Sequence, residues 1–129
     1  MQQSNTERIV DIKASLDLVK KILTTKYADF NGRAGRTEFW TFVIFSIVVN
    51  VLASVIFGTI GLGIVGTIVS LALLVPSIAV TVRRLHDRDM TGWLALVGLI
   101  PLLGALWLLY TCYFEGSEGA NQFGEKPAE

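Results

Sequence analysis

The feature that most constrains this chain is where its charges are not. Of the 22 charged residues, 12 lie in residues 1–38, five in 83–89 and five in 115–129. Two blocks carry none, Phe39 to Val82 (44 residues) and Met90 to Phe114 (25 residues). A helix rises about 1.5 Å per residue and a bilayer core is about 30 Å thick, so roughly 20 apolar residues cross it once. The first block is long enough for two crossings and the second for one.

Gly58-Thr59-Ile60-Gly61-Leu62-Gly63 divides the first block, because closely spaced glycines weaken a helix and permit a tight turn. The expected spans are therefore about 39–57, 64–82 and 93–113. Pro101 and Gly104 interrupt the third block, so a re-entrant hairpin is the alternative there. Such a hairpin needs its irregular backbone satisfied within protein, which favours the full span in so small a chain. Trp93 and Tyr113 are 20 residues apart, the spacing of two interfacial anchors on one span.

Ten of the 11 Lys+Arg residues fall before the first span or between the second and third. The positive-inside rule then places the N-terminus in the cytoplasm and the tail outside. Hydrophobic residues make up 52% of the chain and the formal net charge is zero, which excludes a globally basic nucleic-acid binder. The fold class expected is an all-α membrane protein: a cytoplasmic amphipathic helix (1–30), a membrane domain (31–114) with three transmembrane helices, and an acidic flexible tail (115–129).

In the first segment, Ile9, Ile12, Leu16, Val19 and Leu23 recur at spacings of three and four and form one stripe. Ser4-x-x-Glu7 has the form of a capping box. Lys13, Lys20, Lys21 and Lys26 occupy the other faces. The helix suits the membrane surface or the bundle, with lysines near anionic headgroups. It also suits a short coiled-coil seam with a partner or a second copy.

Four ordered motifs, Phe30-x-Gly32-Arg33-x-x-Arg36-x-Glu38-Phe39-Trp40, Arg83-Arg84-Leu85-His86-Asp87 with Gly92-Trp93, Ile100-Pro101-Leu102-Leu103-Gly104, and Gly119-x-Asn121-x-Phe123-Gly124-x-x-Pro127, resemble the YhaH/YhaI-like family of small bacterial inner-membrane proteins, a domain of unknown function. The resemblance covers roughly residues 30–127. It implies a bacterial inner membrane and no reaction. Asp89 stands where that pattern usually has glycine, and Gln122 where a basic residue is common.

Folding the first two spans as an antiparallel hairpin pairs positions whose numbers sum to about 121. Ser46, Asn50 and Ser54 then face Ser77, Ser70 and Thr67 in an interhelical polar seam, since small and hydroxylated residues allow close packing in lipid. The alternative is a polar pathway around Asn50 in a small oligomeric channel or transporter. The same register sets Glu38 beside Arg83 and Arg84. An interfacial cluster of Arg33, Arg36, Glu38, Arg83, Arg84, His86 and Asp87 is expected there, as topology signal and local ion pairs or as an anion or partner-docking site.

No catalytic residue, metal ligand or cofactor is assigned. His86-Asp87 are adjacent, so they do not face one another on a helix, and no nucleophile is assigned beside them. Cys112 reads as a packed apolar residue. Gly61-Leu62-Gly63-Ile64-Val65-Gly66 has the spacing of a dinucleotide-binding loop, but the apolar run after it ends in Arg83-Arg84, with Asp87 as the first acid, and the 44-residue charge-free block fits two membrane passes better than a strand and a solvated helix. The function expected is a non-enzymatic membrane scaffold or accessory subunit. It would meet lipid and a protein partner, or another copy of itself, through its cytoplasmic basic face.

Overall fold

A computed structural model describes residues 2–127, with side chains from residue 5 onward. All regular elements are helical: α1 (Gln2–Leu23), α2 (Arg36–Thr59), α3 (Gly63–Asp87), a 3-10 helix (Gly92–Leu99) and α4 (Leu103–Tyr113). α1 begins ahead of Ser4, so that residue is not its N-cap; the Ser4 side chain of the expected capping box lies outside the described residues.

α2 and α3 form the antiparallel hairpin. Their apolar side chains have no polar group to satisfy and line both helices for their full length, yet only 11% and 22% of their most apolar stretches are buried. Ile44, Ile47, Val51, Val55, Ile68, Leu71 and Leu74 point outward. The core helix of a soluble protein would hide such residues; lipid accepts them.

Both long helices stop in the same way. Gly61 adopts φ 77°, its amide reaches the Gly58 carbonyl, and Leu62 N–H donates to Phe57 O at 2.7 Å. At the other end Asp89 adopts φ 58°, with Asp89 N–H on His86 O and Met90 N–H on Leu85 O, both 2.9 Å. These paired bonds around a left-handed residue close the last open carbonyls of each helix. A left-handed backbone favours glycine, and Asp89 adopts it with a side chain. Residues 83–87 are thus the final turn of α3, not part of a loop.

The third apolar block departs from the expected continuous span. It starts beside α3 at Gly92, packed against Val82 and His86, and returns at Thr111–Phe114, where Arg84 of α3 bonds the Cys112 and Phe114 carbonyls and Arg88, just beyond α3, bonds that of Thr111. The chain reverses at Pro101-Leu102, where Leu102 has φ 60°. Gly104 allows the reversal, since any side chain there would overlap the Val97 carbonyl. With eight residues in the 3-10 helix and 11 in α4, at about 2.0 Å and about 1.5 Å per residue, each arm is roughly 16 Å long, about half a bilayer core.

The expected obstacle to such a hairpin was unsatisfied backbone at its tip. The tip satisfies itself: Ile100 N–H donates to Val97 O, Gly104 N–H to Ile100 O and Leu106 N–H to Leu102 O, at 2.9–3.0 Å. Because the block doubles back, Trp93 and Tyr113 sit at the same end of the molecule and are not anchors of opposite interfaces. The tail after Tyr113 lies on the face that carries the N-terminal loop, where Arg33 bonds carbonyls of Ser117, Gly119 and Gly124.

The core sits at this charged end, where Ile22, Ala34, Phe39, Phe42, Leu73, Val80 and Cys112 pack together. α1 meets it only through its last turns: Val19 and Ile22 are buried, whereas Ile9, Ile12 and Leu16 of the same helix are exposed. Beyond α1, the Tyr27 hydroxyl donates to Ala72 O at 2.6 Å. Pro76, four residues on, has no N–H to bond that carbonyl, so the tyrosine supplies the donor that the helix lacks.

Candidate functional site

The cluster of charges forms two adjoining networks at the end of the α2–α3 hairpin. In the first, Glu38, in the opening turn of α2, faces Arg83, in the closing turn of α3. The carboxylate is ion-paired with Arg83 Nη1 and with Lys26 Nζ, the latter at 3.3 Å. Acid at a helix N-terminus and base at a C-terminus also match the two helix dipoles. Arg83 Nε donates to Asp29 O at 3.0 Å, which ties the loop after α1 to α3.

Asp87 is the centre of the second network. Its carboxylate accepts from Arg33 Nε at 2.8 Å and pairs with Arg84 one turn back on α3. Arg33 and Arg84 are 1% and 0% exposed at their side chains. Their remaining donors go to main-chain carbonyls. Arg84 reaches Ala34, Cys112 and Phe114, and Arg33 reaches Ser117 at 2.8 Å, Gly119 at 2.6 Å and Gly124 at 3.1 Å. A planar guanidinium with several fixed donors suits this carbonyl-rich setting better than an ammonium would.

The tail is therefore clamped where the sequence suggested a solvated, flexible segment. Ser117 N–H and Asn121 Nδ2 donate to carbonyls at the end of α3, the first to Asp87 O at 2.7 Å and the second to His86 O at 2.9 Å. Phe123 stacks on the His86 ring, with centroids 3.9 Å apart and planes within 4°. His86 Nδ1 faces Gly32 O at 2.9 Å. Gly116 lies so close to Asp87 that a side chain would overlap the carboxylate. The tail residues that carry the family resemblance, Gly119, Asn121, Phe123 and Gly124, are the ones that make these contacts.

All seven residues expected in the cluster lie in this region, with one difference in kind. Arg36 is at its edge, pairing with Glu115 at 3.2 Å, and both side chains are well exposed. Sequence reasoning missed Lys26, Asn121 and Phe123. A lysine in an amphipathic segment and an aromatic residue in a polar tail carry no local mark of a long-range contact.

In the interhelical seam, Ser70 Oγ donates to Asn50 Oδ1 at 2.6 Å and Asn50 Nδ2 donates to Ser46 O on its own helix at 2.9 Å. Ser77 and Thr67 bond carbonyls one turn back. Ser54 is exposed, and the Ser46 hydroxyl is buried with no partner among the described residues. Gly66 packs on the Ala53 backbone, whose carbonyl oxygen a β-carbon there would meet at 3.8 Å. Among the described residues no group of three or more His, Cys, Asp or Glu side chains is arranged to hold a metal.

Comparison with known proteins places this chain in a family. Residues 27–125 match the family described as protein of unknown function, DUF805. The chain is 37% identical over 103 residues to the inner membrane protein YhaI of Escherichia coli (strain K12), covering 78% of this chain and 87% of that protein. It is 35% identical over 122 residues to the inner membrane protein YhaH of the same strain, covering 87% and 97%. The uncharacterized protein YiiR of that strain is 28% identical over 130 residues, covering 74% and 84%. No solved structure matches. The chain belongs to the DUF805 family, whose relatives named here include inner-membrane proteins of unknown activity.

Proposed function

We propose that this member of the DUF805 family is a non-enzymatic component of the bacterial inner membrane, a scaffold or accessory subunit with both termini in the cytoplasm. α2 and α3 cross the bilayer, the 92–113 segment enters and leaves it from the cytoplasmic side, and the two charge networks form a cap over the crossing pair. In this topology all 11 Lys+Arg residues are on the cytoplasmic side, and the turn at 60–62 on the far side is uncharged, as the positive-inside rule requires.

The observation that carries the reading is the use made of the arginines. Arg33 and Arg84 are buried and spend their donors on the chain's own carboxylates and carbonyls, and the buried Arg83 gives Nη1 to Glu38 and Nε to Asp29 O, leaving only its Nη2 without a partner among the described residues. The cap holds the fold together, and contact with a protein partner falls to α1. There Ile9, Ile12 and Leu16 are exposed on a helix that also carries Arg8, Lys13, Lys20 and Lys21, none of them ion-paired among the described residues. An apolar stripe flanked by basic residues binds an anionic membrane surface, and the same stripe can seat a partner helix.

Photocrosslinking from position 16 of the full chain, in native membranes, tests this. Capture of one protein partner, together with lipid, is the expected result. Lipid adducts without a protein would overturn the scaffold reading.

A further inference from the structure

A second feature has no α1 residue in its lining. A cavity of about 430 Å³ opens between α3 and the 3-10 arm of the hairpin, lined by Ile78, Val82, Trp93 and Leu96 and closed at the charged end by Phe30, Phe123 and His86. Its volume is in the range of small-ligand sites. Trp93 and Leu96 are exposed at its mouth, 78% and 55%, so the cavity is continuous with the apolar surface that the hairpin turns outward.

The polar end has a defined chemistry. A carbonyl oxygen can only accept, so the contact with Gly32 O requires the proton on His86 Nδ1. In the neutral ring Nε2 then carries a lone pair. His86 is 8% exposed, and no group among the described residues hydrogen-bonds Nε2. That nitrogen faces Gly92, where a β-carbon would sit 3.2 Å from it. The missing side chain at Gly92 leaves the acceptor open to the cavity. Thr91, whose hydroxyl is free to donate after accepting weakly from Trp93 N–H at 3.5 Å, lines the same end.

We propose that this cleft binds a single-chain membrane amphiphile whose head carries an O–H group, a long-chain alcohol or fatty acid. The head donates to His86 Nε2 and accepts from Thr91, and the chain lies along Ile78, Val82 and Leu96 toward the lipid. Phosphatidylcholine is a poor fit, because neither its phosphodiester nor its quaternary ammonium has a proton to give. The inference rests on the hairpin being immersed in the bilayer, but it is separate from the role of α1.

Purified full-length protein in lipid nanodiscs is photolabelled with a diazirine-bearing, alkyne-tagged long-chain alcohol, with the matching fatty acid, and with a phosphatidylcholine carrying the diazirine on one chain. Adducts are mapped by peptide mass spectrometry. Labelling by the alcohol or the acid is expected to concentrate in residues 78–96. Leu96→Trp, which fills the mouth from an exposed position, should abolish it. His86→Phe, which keeps a ring against Phe123, should weaken labelling about tenfold, the effect of one lost hydrogen bond.

Equal labelling of 78–96 by the phospholipid would overturn the proposal, as would labelling indifferent to Leu96→Trp. So would absence of adducts at 78–96 in protein whose both termini have been shown to be cytoplasmic, a result that leaves the topology standing.

Discussion

Replacing Asp87 with Asn removes one charge from between two buried guanidiniums and leaves the side chain's size unchanged. Arg33 and Arg84 are about as buried as Asp87, whose own side chain is 5% exposed. Breaking a buried ion pair by removing one partner costs about 3–5 kcal/mol, because the remaining charge keeps its desolvation penalty. Both guanidiniums retain carbonyl acceptors, those of residue 87 itself, Ser117, Gly119 and Gly124 for Arg33, and those of Ala34, Cys112 and Phe114 for Arg84. These partly solvate the unpaired charge and place the expected loss near the low end, about 3 kcal/mol. Arg36→Gln is the comparison, since its pair with Glu115 is exposed and should be worth under about 1 kcal/mol. Unfolding in mixed micelles by titrated denaturing detergent gives both numbers, and limited proteolysis of residues 115–127 reports whether the tail has come free. Equal losses for the two variants, with the tail still protected in Asp87→Asn, would refute the description of Asp87 as the centre of the cap.

Further outcomes follow from single contacts. The Tyr27 hydroxyl is bound to Ala72 O, so Tyr27→Phe should cost about 0.5–1.5 kcal/mol in the parent chain. The same change should cost close to nothing in a Pro76→Ala background, where the alanine's own N–H can bond that carbonyl; additive effects in the cycle would exclude the capping role. Asp89→Gly should be neutral or stabilise by up to about 1 kcal/mol, since position 89 has φ 58°, and a clear loss would mean that the carboxylate itself is required. Asn50→Leu should leave folding near the parent level, because the Asn50–Ser70 bond is a single interhelical contact worth under about 1 kcal/mol. A polar pathway would instead show ion or solute flux in reconstituted vesicles that this variant abolishes.

Much of the membrane core was legible in the chain because bilayer thickness and charge exclusion act on composition directly. The 44-residue uncharged block holds both long helices, and the glycines near 60 mark their turn. The second block misleads for a physical reason. Its 25 residues match one crossing, and Pro101 alone does not reveal whether the backbone beyond it can satisfy itself; only the hydrogen bonds around Ile100–Leu106 show that it can. The tail misleads differently. Its polar, glycine-rich composition resembles a solvated segment, yet besides Asn121 and Phe123 its anchors are main-chain carbonyls at Ser117, Gly119 and Gly124, and a carbonyl acceptor leaves no trace in residue type. In α1 the three-and-four stripe identified Val19, but Ile22, one position off the stripe, is the residue fully buried against the core.

The central claim is that the chain crosses the membrane twice and keeps both ends on one side. With Cys112→Ser as background, single cysteines at Glu118, at Gln3 and at Leu62 can be challenged in intact spheroplasts with a membrane-impermeant maleimide. Labelling of position 62 alone, with 3 and 118 reacting only after the cells are opened, is the expected result. Labelling of position 118 in intact spheroplasts would restore three full crossings and contradict the re-entrant hairpin.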